Sequence, residues 1–368
     1  MPRVAIAKNT LQVPPTYFAV AHAMRLREEF DFELFTMAAD VQDPAVRLPL
    51  DEAVPFRSAP LRTREYLIPL FLARMSRRIR RFRPDLIHQH FATWSWPASR
   101  AAAKDDVPML TTIHGADVVA AGATGGGLLG AWNRRNAELA AARSRRVLAV
   151  SEYLADSAVR AGFPADRLEV HYQGIDTDFF TPEPSVGLRT DAPPTIVFVG
   201  AISTQKGVDQ LVEASIEVQR TVPHRLELIG SGPLLAPLQE SAPAHIAFLG
   251  RQDREAVRAR LRAASLLVLP TVTTEAAGLV LLEAQACGTP VIAYRSGGTS
   301  EMLDDGSTGQ LIEPGNVRAL EAAIRAQLAL PSAEAERMRR RAREFVVQQR
   351  SLEVSARQLA EHYRSLIG

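Results

Sequence analysis

The feature that most constrains this chain is a rhythm that runs, stops and starts again. Short runs rich in β-branched and apolar residues are followed by Gly, Pro, Ser or Asp, and then by stretches of helical period. In the first half this predicts strands at Val4–Ala7, Phe32–Thr36, Asp85–His88, Met109–Ile113 and Val147–Val150. In the second half it predicts Thr195–Val199, Arg225–Ile229, Ile246–Leu249, Leu266–Leu269 and Pro290–Tyr294. Strands that alternate with helices form parallel sheets covered by those helices, because each crossover must pack back onto the sheet. Between the halves, Gly174–Pro194 contains two Pro-rich clusters and no sustained period, which marks a boundary. The expectation is α/β throughout: two doubly wound Rossmann-like domains, 1–175 and 176–345, facing across a cleft. Residues 346–368 read as a C-terminal helix packing back toward the first domain. Ligands of such sheets sit beyond the C-terminal ends of the strands.

A length of 368 residues allows each half its own core, and 46% hydrophobic with 23% charged residues is the mix of a globular protein. No apolar run reaches 18 residues, and the start, MPRVAIAKNT, reads as a first strand in place of a signal peptide. One cysteine, Cys287, excludes an internal disulfide framework and fits a reducing cytoplasm. A net charge of +2 does not mark the whole chain as a polyanion binder. The exception is Arg62–Arg83, where eight arginines face one acid, Glu65. Drawn as a helix, it places Leu67, Leu70, Phe71, Met75 and Ile79 on one side and arginines on the other. That pattern suits a solvated face, peripheral contact with an anionic membrane, or an acidic acceptor. No aromatic-rich sheet or binding motif accompanies it, so nucleic acid is not an expected partner.

The chemistry concentrates in Glu275-Ala-Ala-Gly-Leu-Val-Leu-Leu-Glu283-Ala-Gln-Ala-Cys-Gly288, behind the strand LLVLP. A helix is predicted from Gly278, with Leu279, Leu282 and Ala286 on one face and Gly288 at its C-terminal cap. Glu275 then lies just before the helix and Glu283 one turn inside. The free amides of Gly278, Leu279 and Val280 at the positive end of the helix dipole make a place for a diphosphate. A carboxylate on either side suits the hydroxyls of a sugar and a ribose. Upstream, Lys206 is one of only three lysines in the chain and stands beside Gly207, which favours a phosphate role.

These residues resemble the Glu–seven residues–Glu signature of retaining GT-B glycosyltransferases, in the large bacterial family four (glycosyl transferases group 1). The resemblance implies that Glu275 contacts the donor hexose, that Glu283 contacts the ribose, and that Lys206 in Val199-Gly-Ala-Ile-Ser-Thr-Gln-Lys-Gly207 binds the pyrophosphate. It places Gly200 in the same loop and Arg251 of Phe248-Leu-Gly-Arg251 near the base. Leu228-Ile-Gly-Ser-Gly-Pro233 and Ser296-Gly-Gly-Thr-Ser-Glu301 resemble further loops of the family. Where the family has an arginine after the glycine, this chain has Ala201.

In the first half, Thr112-Ile-His114-Gly-Ala-Asp117 resembles the family's His-Gly-x-Asp turn, whose histidine meets the donor sugar. Asp85-Leu-Ile-His-Gln-His90 resembles a neighbouring turn, and Asn9–Thr16 stands where the family has an acceptor loop. Thr16, His90 and Asp117 are therefore the acceptor-side candidates, and His114 joins Glu275 and Lys206 as catalytic candidates. His88 and His90 have the spacing of a metal-ligand pair, yet no third ligand of matching context accompanies them, so no metal is assigned. The glycine run Gly122–Gly127 lacks the Gly-Lys-Ser/Thr ending of a phosphate loop and reads as a rim loop. Val150-Ser151-Glu-Tyr and Gln173-Gly-Ile-Asp176 match the family's interdomain pattern.

What the resemblance implies is transfer of a hexosyl group from a nucleoside diphosphate sugar, UDP- or GDP-linked, to a hydroxyl acceptor with retention at the anomeric carbon. The acceptor is a saccharide, a lipid-linked saccharide or a small molecule, in polysaccharide, glycolipid or glycoconjugate assembly. The donor is a substrate, and no cofactor is implied. The setting is cytoplasmic, with peripheral contact at the inner face of the membrane as an option. Two other readings stay open: a nucleotide-sugar epimerase on the same fold, and a non-catalytic nucleotide-sugar-binding protein.

Overall fold

The structure, a computed structural model, describes residues 1–14, 17–56, 58–122, 127–183 and 193–368. Two compact units emerge, Met1–Gly174 with Leu352–Gly368, and Ile175–Ser351. The first carries β1 (Arg3–Val13), α1 (Phe18–Leu26), β2 (Asp31–Val41), β3 (Leu50–Glu52), α2 (Leu61–Tyr66), α3 (Ile68–Phe82) and β4 (Leu86–His90). It continues with α4 (Trp96–Asp105), β5 (Met109–Ile113), α5 (Ala116–Gly122), α6 (Gly127–Arg143), β6 (Arg146–Ala149), α7 (Glu152–Arg160) and β7 (Leu168–Val170). The second holds β8 (Thr195–Val199), α8 (Val208–Gln219), β9 (Arg225–Ile229), α9 (Leu235–Ser241), β10 (Ile246–Gly250), α10 (Arg254–Ala263) and β11 (Leu266–Leu269). It ends with α11 (Leu279–Ala286), β12 (Val291–Tyr294), β13 (Gly309–Ile312), α12 (Val317–Leu328) and α13 (Ser332–Gln349). The last helix, α14 (Leu352–Ile367), belongs to the first unit.

In the first unit the strand order is β3-β2-β1-β4-β5-β6-β7, with every pairing parallel. Both β4 and β5 are buried along their whole length, which is why they read as unbroken runs and not as alternation. Even-numbered Ile6, Leu34, Leu86 and Leu110 face α1 and α14, where Val20, Ala23, Leu359 and Tyr363 cover them. Odd-numbered Ala5, Phe35, Ile87 and Met109 face α3 and α4, meeting Met75, Ile79 and Ala98. Fully burying one such aliphatic side chain is worth about 1.5–3 kcal/mol.

The second unit is doubly wound in the order β10-β9-β8-β11-β12-β13, again parallel. In each sheet the order reverses beside the first strand, between β1 and β4 and between β8 and β11. Loops leaving the two strands at such a point run to opposite faces and open a crevice, where ligands of this architecture bind.

Three strands, β3, β7 and β13, were not expected; at three or four residues they are too short to carry a period. The expected loop Asn9–Thr16 is corrected at its start. Residues Thr10–Val13 continue β1 against Ala38–Val41, because Leu11 and Val13 alternate inward and are fully buried. Thr16 lies outside the described residues, as do positions 123–126 of the glycine run. No described helix is long and apolar enough to cross a membrane.

Candidate active site

The crevice of the second sheet brings together two groups far apart in sequence. After β8 the chain turns through Gly200 and a short 3₁₀ segment, Thr204–Lys206, before α8. Gly207 lies at φ +64°, and a Cβ there would stand 2.0 Å from the carbonyl oxygen of Pro270, so only glycine lets this loop lie against the end of β11. After β11, Val272 and Thr273 donate their amides to the carbonyl of Gln205 at 3.0 and 3.3 Å. The two loops are thereby stitched together, and the Lys206 ammonium donates to Glu275 Oε2. Thr271 Oγ1, not singled out from sequence, lies 3.5 Å from the same oxygen.

Glu275 is held from behind as well. Gly298 donates to its carbonyl at 2.8 Å, and a Cβ on Gly297, at φ +62°, would come within 2.2 Å of that oxygen. The Ser296 hydroxyl reaches the carbonyl of Thr273. Thus the Gly-Gly turn after β12 fixes the backbone that carries the carboxylate.

Helix α11 begins directly after Gly278, which caps it at φ +75°. No described acceptor takes the amides of Gly278, Leu279 or Val280, so they remain available to an anion. The helix is less one-sided than its sequence predicts: Leu281, Leu282 and Ala284–Ala286 are all buried, and Gln285 ties it to the carbonyl of Met302 at 2.6 Å. Glu283 is half-buried on the remaining face, and desolvation pushes its carboxyl up to about 7, opposed by the charge of Arg254. Arg254 stacks on Phe179 at 3.9 Å from the ring centre. Nothing local in the sequence distinguishes Arg254 from the other arginines of α10. Gly200 accepts a close approach from Gly230, whose Cβ would lie 1.8 Å from its oxygen, while Arg251 stands exposed after β10.

In the first unit, β4 and β5 deliver His90 and His114 side by side, with His90 Nδ1 and His114 Nε2 3.1 Å apart. The other nitrogen of His114 meets the amide of Gln173 at 2.9 Å. Its ring packs on Phe18 and Phe91, with centroids 4.2 and 4.4 Å away. Burial holds His88, His90 and His114 well below the ordinary imidazole value. His88 is taken up by the Tyr363 hydroxyl at 2.7 Å and Thr112 at 2.8 Å.

Asp117 has a different place from the acceptor-facing one expected. It is 1% exposed, and its carboxylate accepts the amides of His114, Gly115 and Ala92 at 3.0, 2.9 and 3.0 Å. Both oxygens are spent on the turn, so Asp117 orients His114 and does not reach outward. Desolvation raises its carboxyl, against the lowering effect of those amides.

The arginine run also reads differently once folded. Arg64 is buried against Glu52, Arg78 pairs with Asp51 at 2.5 Å, and Arg80 chelates Asp105 at 2.6–2.8 Å. The acids missing from the local sequence come from β3 and the end of α4. Arg77, Arg81 and Arg83 line an open groove with Arg80 and Asp105. They lie at the end of α3 that feeds the start of β4, so they are remote from the strands' ligand-binding ends.

Comparison with known proteins adds a second line of evidence. Residues 17–179 match the family model described as Glycosyltransferase Family 4, and residues 181–345 match that described as Glycosyl transferases group 1. A GDP-mannose-dependent alpha-(1-6)-phosphatidylinositol monomannoside mannosyltransferase of Mycolicibacterium smegmatis is 34% identical over 50% of this chain and 52% of its own length. A glycogen synthase of Mycobacterium tuberculosis is 31% identical over 71% of this chain and 64% of its own. The chain therefore spans between about half and two thirds of these relatives. Among solved structures, sucrose-phosphate synthase from Thermosynechococcus elongatus superposes with a TM-score of 0.79 at 22% identity, covering 100% of this chain and 99% of that one. Anabaena HepE, solved with UDP and glucose, gives 0.77 at 19% identity, covering 99% and 100%. At these identities the likeness is one of fold.

Proposed function

Because the chain belongs to the GT-B glycosyltransferases of family four, the glycosyl transferases group 1, we propose that it moves a hexosyl group from a nucleoside diphosphate sugar to a hydroxyl acceptor with retention of configuration. The observation that carries this reading is the Lys206–Glu275 pair beside the open amides of Gly278, Leu279 and Val280. Breaking the bond to the diphosphate develops negative charge on the leaving group, and a preorganised ammonium and helix N-terminus stabilise it without reorganisation. No metal is invoked for that task. Glu275 takes hydroxyls of the hexose, Glu283 those of the ribose, and Arg251 lies toward the base. His114 is the sugar-facing imidazole of the first unit. The names of the relatives favour a UDP- or GDP-linked donor and an acceptor in polysaccharide or glycolipid assembly. Peripheral contact with an anionic membrane through α3 belongs to the same reading, since exposed Leu70 is two turns from Arg77 on one face of the helix.

Anomeric configuration of donor and product, read by NMR, tests retention. Turnover of Glu275→Ala and Lys206→Ala tests the site: values within about threefold of wild type for both would overturn the assignment, since loss of such stabilisation costs about 10²–10³-fold. Incubation with the donor alone separates an epimerase, which would isomerise it.

A further inference from the structure

The crevice of the first sheet contains a cation that the proposed reaction leaves unused. Lys8 lies on β1, directly beyond Ala7, which pairs with Gln89 of β4, so Lys8 and His90 are neighbours across the reversal point of the strand order. His90 pairs in turn with Thr112, and His114 follows at the end of β5. Lys8, just past the point where β1 stops pairing with β4, His90, the last residue of β4, and His114, directly after β5, therefore form a row across three adjacent strands.

Lys8 is only 8% exposed, and its ammonium has no carboxylate within ion-pairing distance among the described residues. It donates to the carbonyl of Thr10 at 2.5 Å and lies 5.1 Å from the ring centre of Phe91. Burial lowers its pKa to about 8, and its charge in turn disfavours protonation of His90 and His114. A buried ammonium held by one carbonyl and an aromatic face is poorly compensated, because withdrawing a charge from water is costly unless an opposite charge meets it. The backbone beside it is strained too: Phe91 adopts φ +65°, a region that bulky residues avoid, with its ring near both Lys8 and His114.

We infer that Lys8, with His90 beside it, forms an anion subsite at the crevice of the first sheet, which receives a phosphate or carboxylate group carried by the acceptor; His114, whose two ring nitrogens meet His90 and Gln173, holds His90 in place. The half-exposed rings of Phe18 and Phe91 beside His114 form its apolar wall. The assignment to the acceptor rests on the transferase reading above, in which the donor diphosphate is bound by the second unit; the anion site itself does not.

The experiment is titration of the full chain with inorganic phosphate and, separately, acetate, with UDP saturating so that the Lys206 site is filled. The side-chain 15N resonances of His90 and His114 report occupancy. Wild type is expected to show saturable shifts with at least one of the anions, and Lys8→Met a loss of affinity of about tenfold or more, with Lys8→Arg retaining binding. UDP affinity is expected to be equal in all three. Lys8→Met removes a buried charge and should melt no lower than wild type; Lys8→Gln serves if it does not fold. Absence of shifts in wild type with both anions, or equal binding by Lys8→Met, overturns the subsite. Failure of UDP to bind any variant would instead strike the donor reading, and the titration without UDP in Lys206→Met would still decide the role of Lys8. If phosphate binds through Lys8 but glucose 6-phosphate is no better an acceptor than glucose, the anion site stands and its assignment to the acceptor falls.

Discussion

The ammonium of Lys206 and the carboxylate of Glu275, 69 residues apart in sequence, are bonded to each other at the crevice of the second sheet. Each neutralises the other before any ligand arrives. Under the proposed function each is needed by a different part of a nucleotide sugar, so donor binding is expected to exchange this pair for Lys206 on phosphate and Glu275 on hydroxyls. Lys206→Met is expected to weaken binding of the free nucleoside diphosphate by about tenfold or more, whereas Glu275→Gln should leave it nearly unchanged and lower turnover. Calorimetric titration with UDP and GDP, alongside initial rates, separates the two effects.

Gly297 acts on Glu275 through the backbone. A Cβ placed 2.2 Å from the Glu275 carbonyl must displace one of the two loops. Gly297→Ala is expected to reduce kcat by about tenfold or more while the chain stays folded, at a stability cost of about 1–3 kcal/mol. Gly315, also at positive φ but with open space around it, supplies the control: Gly315→Ala should carry backbone strain and leave kcat alone.

Under the proposed function, in which its carboxyl meets the ribose of the donor, Glu283 is expected to link donor affinity to pH. Its carboxyl is raised to about 7 by burial, so the folded protein retains a proton that the unfolded chain loses near 4.5. Stability contributed by this group is therefore present below about 4.5 and is lost as pH rises toward and through 7. Glu283→Gln should be more stable than wild type at pH 8, and the difference should vanish at pH 4, as read by denaturant unfolding. UDP or GDP affinity should rise through pH 7 in wild type as the carboxylate forms, and stay flat in Glu283→Gln.

The arginines of α2 and α3 should divide into two classes. Arg64 and its partner Glu52 are both nearly inaccessible, with side chains 6% and 7% exposed. Arg64→Met removes the cation from the buried Glu52 carboxylate, leaving it the Ala39 amide, and is expected to cost about 3–5 kcal/mol. Arg77→Met, on the open face, should change stability by less than about 0.5 kcal/mol, and together with Arg81→Met should weaken any binding to vesicles containing anionic lipid. Urea unfolding and vesicle sedimentation read the two outcomes.

Ten of the strands, the break near Gly174 and the strand–loop–helix that carries Glu275 and Glu283 are local properties, and the sequence by itself determined them. Strand period, turn residues and helix caps act over a few positions, so Glu275, Gly278 and Glu283 could be placed on a strand–loop–helix from their spacing. The glycines at 207 and 297 were visible as residues, but not the carbonyls of Pro270 and Glu275 that make them obligatory. Charge compensation was not legible at all. Of the eight arginines, Arg64, Arg78 and Arg80 looked unopposed because their acids arrive from β3 and α4, and Asp117 looked outward until its carboxylate was seen to close on three amides. Likewise Lys8 read as part of a strand, and the tertiary structure set it beside His90 without a carboxylate. Burial and pairing depend on what the fold brings from elsewhere in the chain. For that reason the identity of the motif could be read residue by residue, while which charges are spent and which remain for a ligand was decided only by packing.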